Sequence, residues 1–167
     1  MQTHLTTRTG LGLSVRIATA DDEPALQAFF DQVSDEDRRF RFLAAADHVS
    51  HNQLVPLLEA DHYQSESFLA FDSANGELVG SALLACDKAL DCGEIAVSVR
   101  ADYKGKGVGW ALLDVLGGEA QGRGVRRVIA IESRDNHAAI ELEREKGFTP
   151  EPFDGEPNLV ILSKTFR

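Results

Sequence analysis

The segment that most constrains this chain is a glycine turn set between a strand and a helix. Residues 94–99 read as a strand, and Lys104-Gly105-Lys106-Gly107-Val108-Gly109-Trp110 follows after a short link. Residues 107–120 then carry Val108, Ala111, Leu112, Val115 and Leu116 at helical spacing. Glycine turns tightly and lets backbone N–H groups approach a ligand with no Cβ in the way. The first helical turn leaves its own N–H groups without partners, at the positive end of the helix dipole. The segment therefore reads as a cradle for a pyrophosphate, with Lys104 and Lys106 adding positive charge. It is not a P-loop, because Gly105 and Gly107 are one residue apart and no Lys-Ser/Thr follows. It is not a dinucleotide fingerprint either, because Gly105, Gly107 and Gly109 give G-x-G-x-G.

Around this turn the chain alternates strands and helices. Residues 15–17 read as a strand. Residues 19–33 read as a helix start and helix, with Leu26, Phe29, Phe30 and Val33 on one face, and residues 34–37 as a further turn or helix. Residues 50–60 read as another helix. Residues 68–71 and 78–85 make a hairpin, 127–132 a strand, 136–146 a helix closed by Gly147, and 159–166 a last strand. The order, β-α-α-β-β-β-α-β-α-β, is an α/β (α+β) arrangement.

Length and charge bound the function. A chain of 167 residues is one domain, read as residues 13–167 behind a flexible tail of residues 1–12. The net charge of −10 repels nucleic acid and anionic membranes and suits cationic partners. No secretory signal or membrane span is present, and Cys86 and Cys92 read as reduced thiols, so the expected location is cytoplasmic.

With these elements in place, the chain resembles the GNAT superfamily of acyl-CoA-dependent N-acetyltransferases. The family signature [R/Q]-x-x-G-x-[G/A] falls on residues 104–109, with Lys104 in the place of Arg or Gln. A second family block, N-x-x-A-[IM]-x-L-x-x-x-x-G-F, falls on Asn136, Ala139, Ile140, Leu142, Gly147 and Phe148. More finely, residues 34–42 with residues 93–99 are similar to the Pat-type bacterial protein lysine acetyltransferase domain. The resemblance implies a mixed, mostly antiparallel sheet of six to seven strands flanked by about four helices. It implies acetyl-CoA as cosubstrate, no metal, and a primary amine as acceptor, either a protein lysine or a small molecule such as a polyamine, amino acid or antibiotic. A non-catalytic acyl-CoA-binding module and a homodimer stay open.

The same resemblance assigns roles. Glu94, at the start of the strand leading to the glycine turn, is the candidate general base for the amine, and Glu132 is the second candidate. Main-chain groups of Val97 and Val99 would hold the pantetheine arm and the thioester oxygen. Lys104, Gly105, Lys106, Gly107, Val108, Gly109 and Trp110 would form the cofactor cradle, and Asn136 would bond to the cofactor or cap its helix. The family often places a tyrosine, the acid for the departing thiolate, four residues after Ala139. Here that residue is Glu143, and Tyr103 is a poor substitute.

Other residues have plainer readings. Arg38, Arg39 and Arg41, interleaved with Phe40 and Phe42, read as a helix pairing arginines with acids and phenylalanines with the core; lining an acceptor groove is the rival. His48 and His51 lack a third metal ligand at matching spacing. The Trp110 ring reads as packing. Gly117-Gly118 implies either a close helix–sheet approach or a break in the helix.

Overall fold

The computed structural model describes residues 2–43 and 48–166. Its strands are β1 (Thr3–Thr6), β2 (Gly12–Ile17), β3 (Ser65–Asp72), β4 (Leu78–Cys86), β5 (Cys92–Val99), β6 (Arg127–Ser133), β7 (Thr149–Pro152) and β8 (Leu159–Thr165). They form one sheet in the order β1-β2-β3-β4-β5-β6-β8-β7. The helices are α1 (Glu23–Asp31), α2 (Asp35–Phe42), α3 (His51–Leu58), α4 (Val108–Gly122) and α5 (His137–Glu145). Every neighbouring pair of strands is antiparallel except β5 and β6. This is the mixed, mostly antiparallel sheet that the sequence implies, with two short edge strands added.

The first of those edges corrects the reading of residues 1–12 as a tail. Thr3 to Thr6 pair with Val15 to Gly12 of β2. Threonines are β-branched and suit a pleated edge, although they carry little apolar signal. Gly10, at φ 94°, turns the chain back, and the Thr7 N–H donates to Leu11 O at 2.8 Å.

Two cores sandwich the sheet. On one face α4 buries Val108, Leu112, Leu116 and Ala120 against Val79, Leu84 and Ile95. Gly80 sets that approach: a Cβ there would lie 2.8 Å from Leu112 Cδ1 and 3.0 Å from Val108 Cγ1. On the other face Leu26, Phe29 and Phe30 of α1 pack with Leu54 and Leu57 of α3 over Leu69. Ser34 caps α2 by accepting from the Asp37 N–H at 3.1 Å. Arg38 then donates to the carbonyls of Phe30 and Val33 at 3.0 and 3.1 Å, closing the end of α1. That position gives Arg38 a structural task, as the sequence reading favoured.

The feature that positions the site is a parting in the sheet. β5 and β6 pair only at Cys92–Arg127, Gly93–Val128 and Glu94–Ile129. Beyond them β5 stays with β4 as far as Val99, while β6 stays with β8 as far as Ser133. A gap opens between the two strands.

Candidate active site

A cavity of about 240 Å³ lies in this gap, lined by both strands, α2, α5 and the start of α4. Glu94, Val97, Val99, Lys104, Gly109, Glu132, Asn136 and Glu143 all line it. Glu94 is the last residue of β5 that pairs with β6, so it stands at the fork. It also lines an adjoining groove of about 290 Å³ beneath α2 and α3, together with Arg41, Gln53 and Pro56.

The main chain of β5 beyond Glu94 has β4 on one side and the gap on the other. The Arg100 N–H donates to Val79 O, so Arg100 faces β4 with its backbone. Strand alternation then turns the N–H and C=O groups of Val97 and Val99 the other way, into the gap. An extended ligand carrying amides fits there as a strand would.

The glycine turn supplies the other half of the site. Gly105 and Gly107 sit at φ 79° and 85°, in the left-handed region that glycine enters without strain. The first acceptor bond of α4 runs from the Ala111 N–H to Gly107 O at 3.0 Å. The N–H groups of Val108, Gly109 and Trp110 therefore precede the ladder and have no acceptor among the described residues. Gly109 serves packing: a Cβ there would lie 3.1 Å from Leu142 Cδ2, so its absence lets α5 close on α4. Lys104 is less free than its charge implied, because its Nζ sits 2.6 Å from Asp37 Oδ2. Lys106 Nζ lies 5.1 Å from the centre of the Tyr103 ring. The Tyr103 hydroxyl donates to Asp72 at 2.5 Å, anchoring the link into the turn and holding the Asp72 carboxyl below its ordinary range.

The hairpin before β2 covers this turn, which the sequence reading missed. Thr9 Oγ1 donates to Lys106 O. The Arg8 guanidinium lies 3.9 Å from the centre of the Trp110 ring, and Lys146 Nζ lies 3.7 Å from it. Both cations lie over the indole. Trp110 is thus a packed ring, as read, but its neighbours are cations. Asn136 caps α5, its Oδ1 accepting from the Ala139 N–H at 3.4 Å.

Three ionisable side chains, Arg41, Glu132 and Glu143, line the inner wall. Burial raises the Glu143 carboxyl, and the neighbouring Glu132 raises it further. Burial also raises Glu132, while a hydrogen bond from Glu143 and the charge of Arg41 act the other way. Arg41, read as part of a helix face, lines the cavity instead. Burial lowers its pKa, opposed by Glu94 and Glu132. Glu143 follows Ala139 by one helical turn, so its side was readable from sequence; its contact with β6 was not.

The remaining readings resolve simply. His48 and His51 bond to Asp31 and Glu23 at 3.1 and 2.7 Å, and no cluster of three metal-ligating side chains occurs among the described residues. Helix α4 runs unbroken through Gly117 and Gly118, and a Cβ on either would meet nothing within 4 Å. Neither a close approach nor a break explains these two glycines.

The profile of the Acetyltransferase (GNAT) family matches residues 26–148. The chain belongs to the GNAT acetyltransferase family. An acetyltransferase of Pseudomonas aeruginosa is 32% identical over 142 residues, covering 83% of this chain and 76% of its own. The GNAT domain of S. lividans PAT superposes with a TM-score of 0.90 at 26% identity, covering 99% of this chain and 97% of that one. A Salmonella typhimurium protein solved with acetyl-CoA shares the fold, with a TM-score of 0.71 at 20% identity over 93% of this chain and 94% of that one. As a GNAT member the protein is an N-acetyltransferase and uses acetyl-CoA. The unaccepted N–H groups, the left-handed glycines and the parted strands fit a cosubstrate with a pyrophosphate and an amide-bearing arm.

Proposed function

We propose that the protein transfers an acetyl group from acetyl-CoA to a lysine side chain of another protein, by direct attack in a ternary complex. The observation that carries this reading is the position of Glu94, which lines both the gap between β5 and β6 and the open groove under α2 and α3. A base placed there faces the donor on one side and the acceptor on the other.

The chemistry requires such a base. A free lysine has a pKa near 10.4, so only about one in 2,500 is neutral at pH 7. Glu94 takes the ammonium proton, directly or through one water, and frees the nitrogen lone pair. The N–H groups of residues 105–110 hold the pyrophosphate, with Lys106 and Arg8 beside them. The Val97 main chain aligns the arm, and the Val99 N–H stabilises charge developing on the thioester oxygen. When bound, acetyl-CoA supplies the activated acyl group. The acidic body, at −10, favours approach of a cationic acceptor. The likeness to the GNAT domain of S. lividans PAT supports a protein acceptor over a small amine.

The test is mass spectrometry of the products after incubation with acetyl-CoA and a mixed pool of proteins and amines. Acetyl-lysine on proteins, lost with Glu94→Gln, is the expected result. Acetylation of small amines alone would replace the acceptor. Tight CoA binding with no product would make the protein a binding module.

A further inference from the structure

We propose that the Glu132–Glu143 pair holds one proton between its two carboxyls and gives it to the sulfur that leaves during acetyl transfer. The proposal rests on the reading above, that the cavity holds the acetyl thioester.

Geometry comes first. Glu132, on β6, and Glu143, on α5, line the same cavity as Glu94, Val97 and Val99. Glu143 is only 7% exposed, and its Oε1 is enclosed with no hydrogen-bond partner among the described residues. A carboxylate in that position would carry a charge with an oxygen left unsatisfied, a costly state. The neutral acid avoids the charge. Its hydroxyl has one acceptor to hand in Glu132, and two carboxyls can share a hydrogen bond only when one keeps its proton. Such a pair titrates as a unit.

The charges around the pair make the proton removable. From α2, Arg41 faces Glu94 and Glu132, and no carboxylate lies within ion-pair distance of its guanidinium among the described residues. Asp37 of α2 and Lys104 of the glycine turn also line the cavity, but they are paired with each other. Glu94 of β5 is the remaining anion, and Asn136 is spent on capping α5. When the pair loses its proton, Arg41 is the cation that offsets the second negative charge. The pair thus combines a retained proton with a built-in counter-ion.

The balance closes. The lysine ammonium sheds two protons while its nitrogen bonds to the acyl carbon. Glu94 accepts them in turn and passes them to water. As the carbon–sulfur bond breaks, sulfur takes the electron pair and the pair's proton, leaving as a thiol. Water refills the pair, so one proton is released per turnover. An unassisted thiolate has a pKa of about 8.5, so the assistance matters most where the amine is a poor competitor at neutral pH.

The first test reads the carboxyls directly. Carbon NMR of side-chain-labelled glutamate should show one carboxyl titrating far above the ordinary glutamate range in the wild type, absent in Glu143→Gln. Adding CoA should shift that titration, and adding desulfo-CoA should not. Equal effects of the two ligands, or no raised carboxyl, would overturn the proposal whatever the acceptor proves to be. The second test is kinetic. Glu143→Gln should lower kcat about 100-fold, leave KM for acetyl-CoA within twofold, and remove the fall in rate at alkaline pH. If Glu143→Gln is misfolded, Glu132→Gln takes its place. Wild-type kcat and pH profile in a folded variant would also overturn the proposal. A failed acceptor reading appears separately, as a wild type that acetylates no protein.

Discussion

Thr7 occupies the space that a side chain at Gly107 would need. A Cβ on Gly107 would lie 3.0 Å from the Thr7 Cβ and 3.3 Å from its Oγ1. The N-terminal hairpin and the glycine turn are therefore fitted to one another, and the turn's shape is held from outside as well as by its own torsions.

Gly105→Ala and Gly107→Ala separate the two effects. Both glycines have positive φ, so alanine at either costs about 1–2 kcal/mol in backbone strain. At Gly105 nothing lies within 4 Å of the new Cβ, whereas at Gly107 it meets Thr7. Gly107→Ala should therefore be the more destabilising in a urea titration and should lose more CoA affinity by calorimetry. Thr7→Gly in the same background should recover part of the difference.

Arg8→Ala should weaken CoA binding several-fold without unfolding the protein. The guanidinium stacks on Trp110 beside the cradle and is about half exposed, so its removal loses a cation near the phosphates and only a modest packing contribution. Deleting residues 1–10 should weaken binding further, because it also removes Thr7 and the Thr9 bond to Lys106. An unchanged dissociation constant in both would show that the hairpin does not wall the site.

Glu94→Gln should lower kcat by about 10²–10⁴-fold while leaving CoA affinity intact, as removal of a positioned base does. The loss should be largest near neutral pH and shrink as alkaline pH deprotonates the amine by itself.

Stability should also report the buried pair. Glu143 has its carboxyl raised above the ordinary value of 4.5, so the folded protein binds more protons than the unfolded chain through that window. Unfolding free energy then falls as pH rises from about 4.5 towards the raised folded value, at up to about 1.4 kcal/mol per pH unit for one proton. Glu143→Gln should flatten that slope, so the variant gains on the wild type in alkaline melts.

What the sequence made readable follows from which forces act locally. The glycine turn, α4 and the Asn136 block are set by backbone torsions, capping and apolar spacing, all of them short-range properties, and each lies where expected. β1 and β7 were not readable for the same reason. One is Thr-His-Leu-Thr, with a single apolar residue, and the other is Thr-Pro-Glu-Pro, and only pairing with β2 and β8 makes them strands. The two edges account for the larger sheet. Within the site, Glu94 is marked by its place in the strand. Arg41, Glu132 and Glu143 come from three separate elements, so their meeting is a tertiary fact. The cover of the cradle by Thr7, Arg8 and Thr9 was hidden in a stretch that looked like a tail.

The parting of β5 from β6 has one more consequence. It amounts to two sheet edges turned inward, and a bare edge ordinarily invites any passing strand. Here the slot is flanked by α2, α4 and α5, and an extended ligand that carries amides of its own can pair with it. Recognition of that kind belongs to the peptide chain itself. Replacing the side chains of Val97 or Val99 leaves the bonding groups in place, and proline, which lacks the N–H, is the substitution that would erase one.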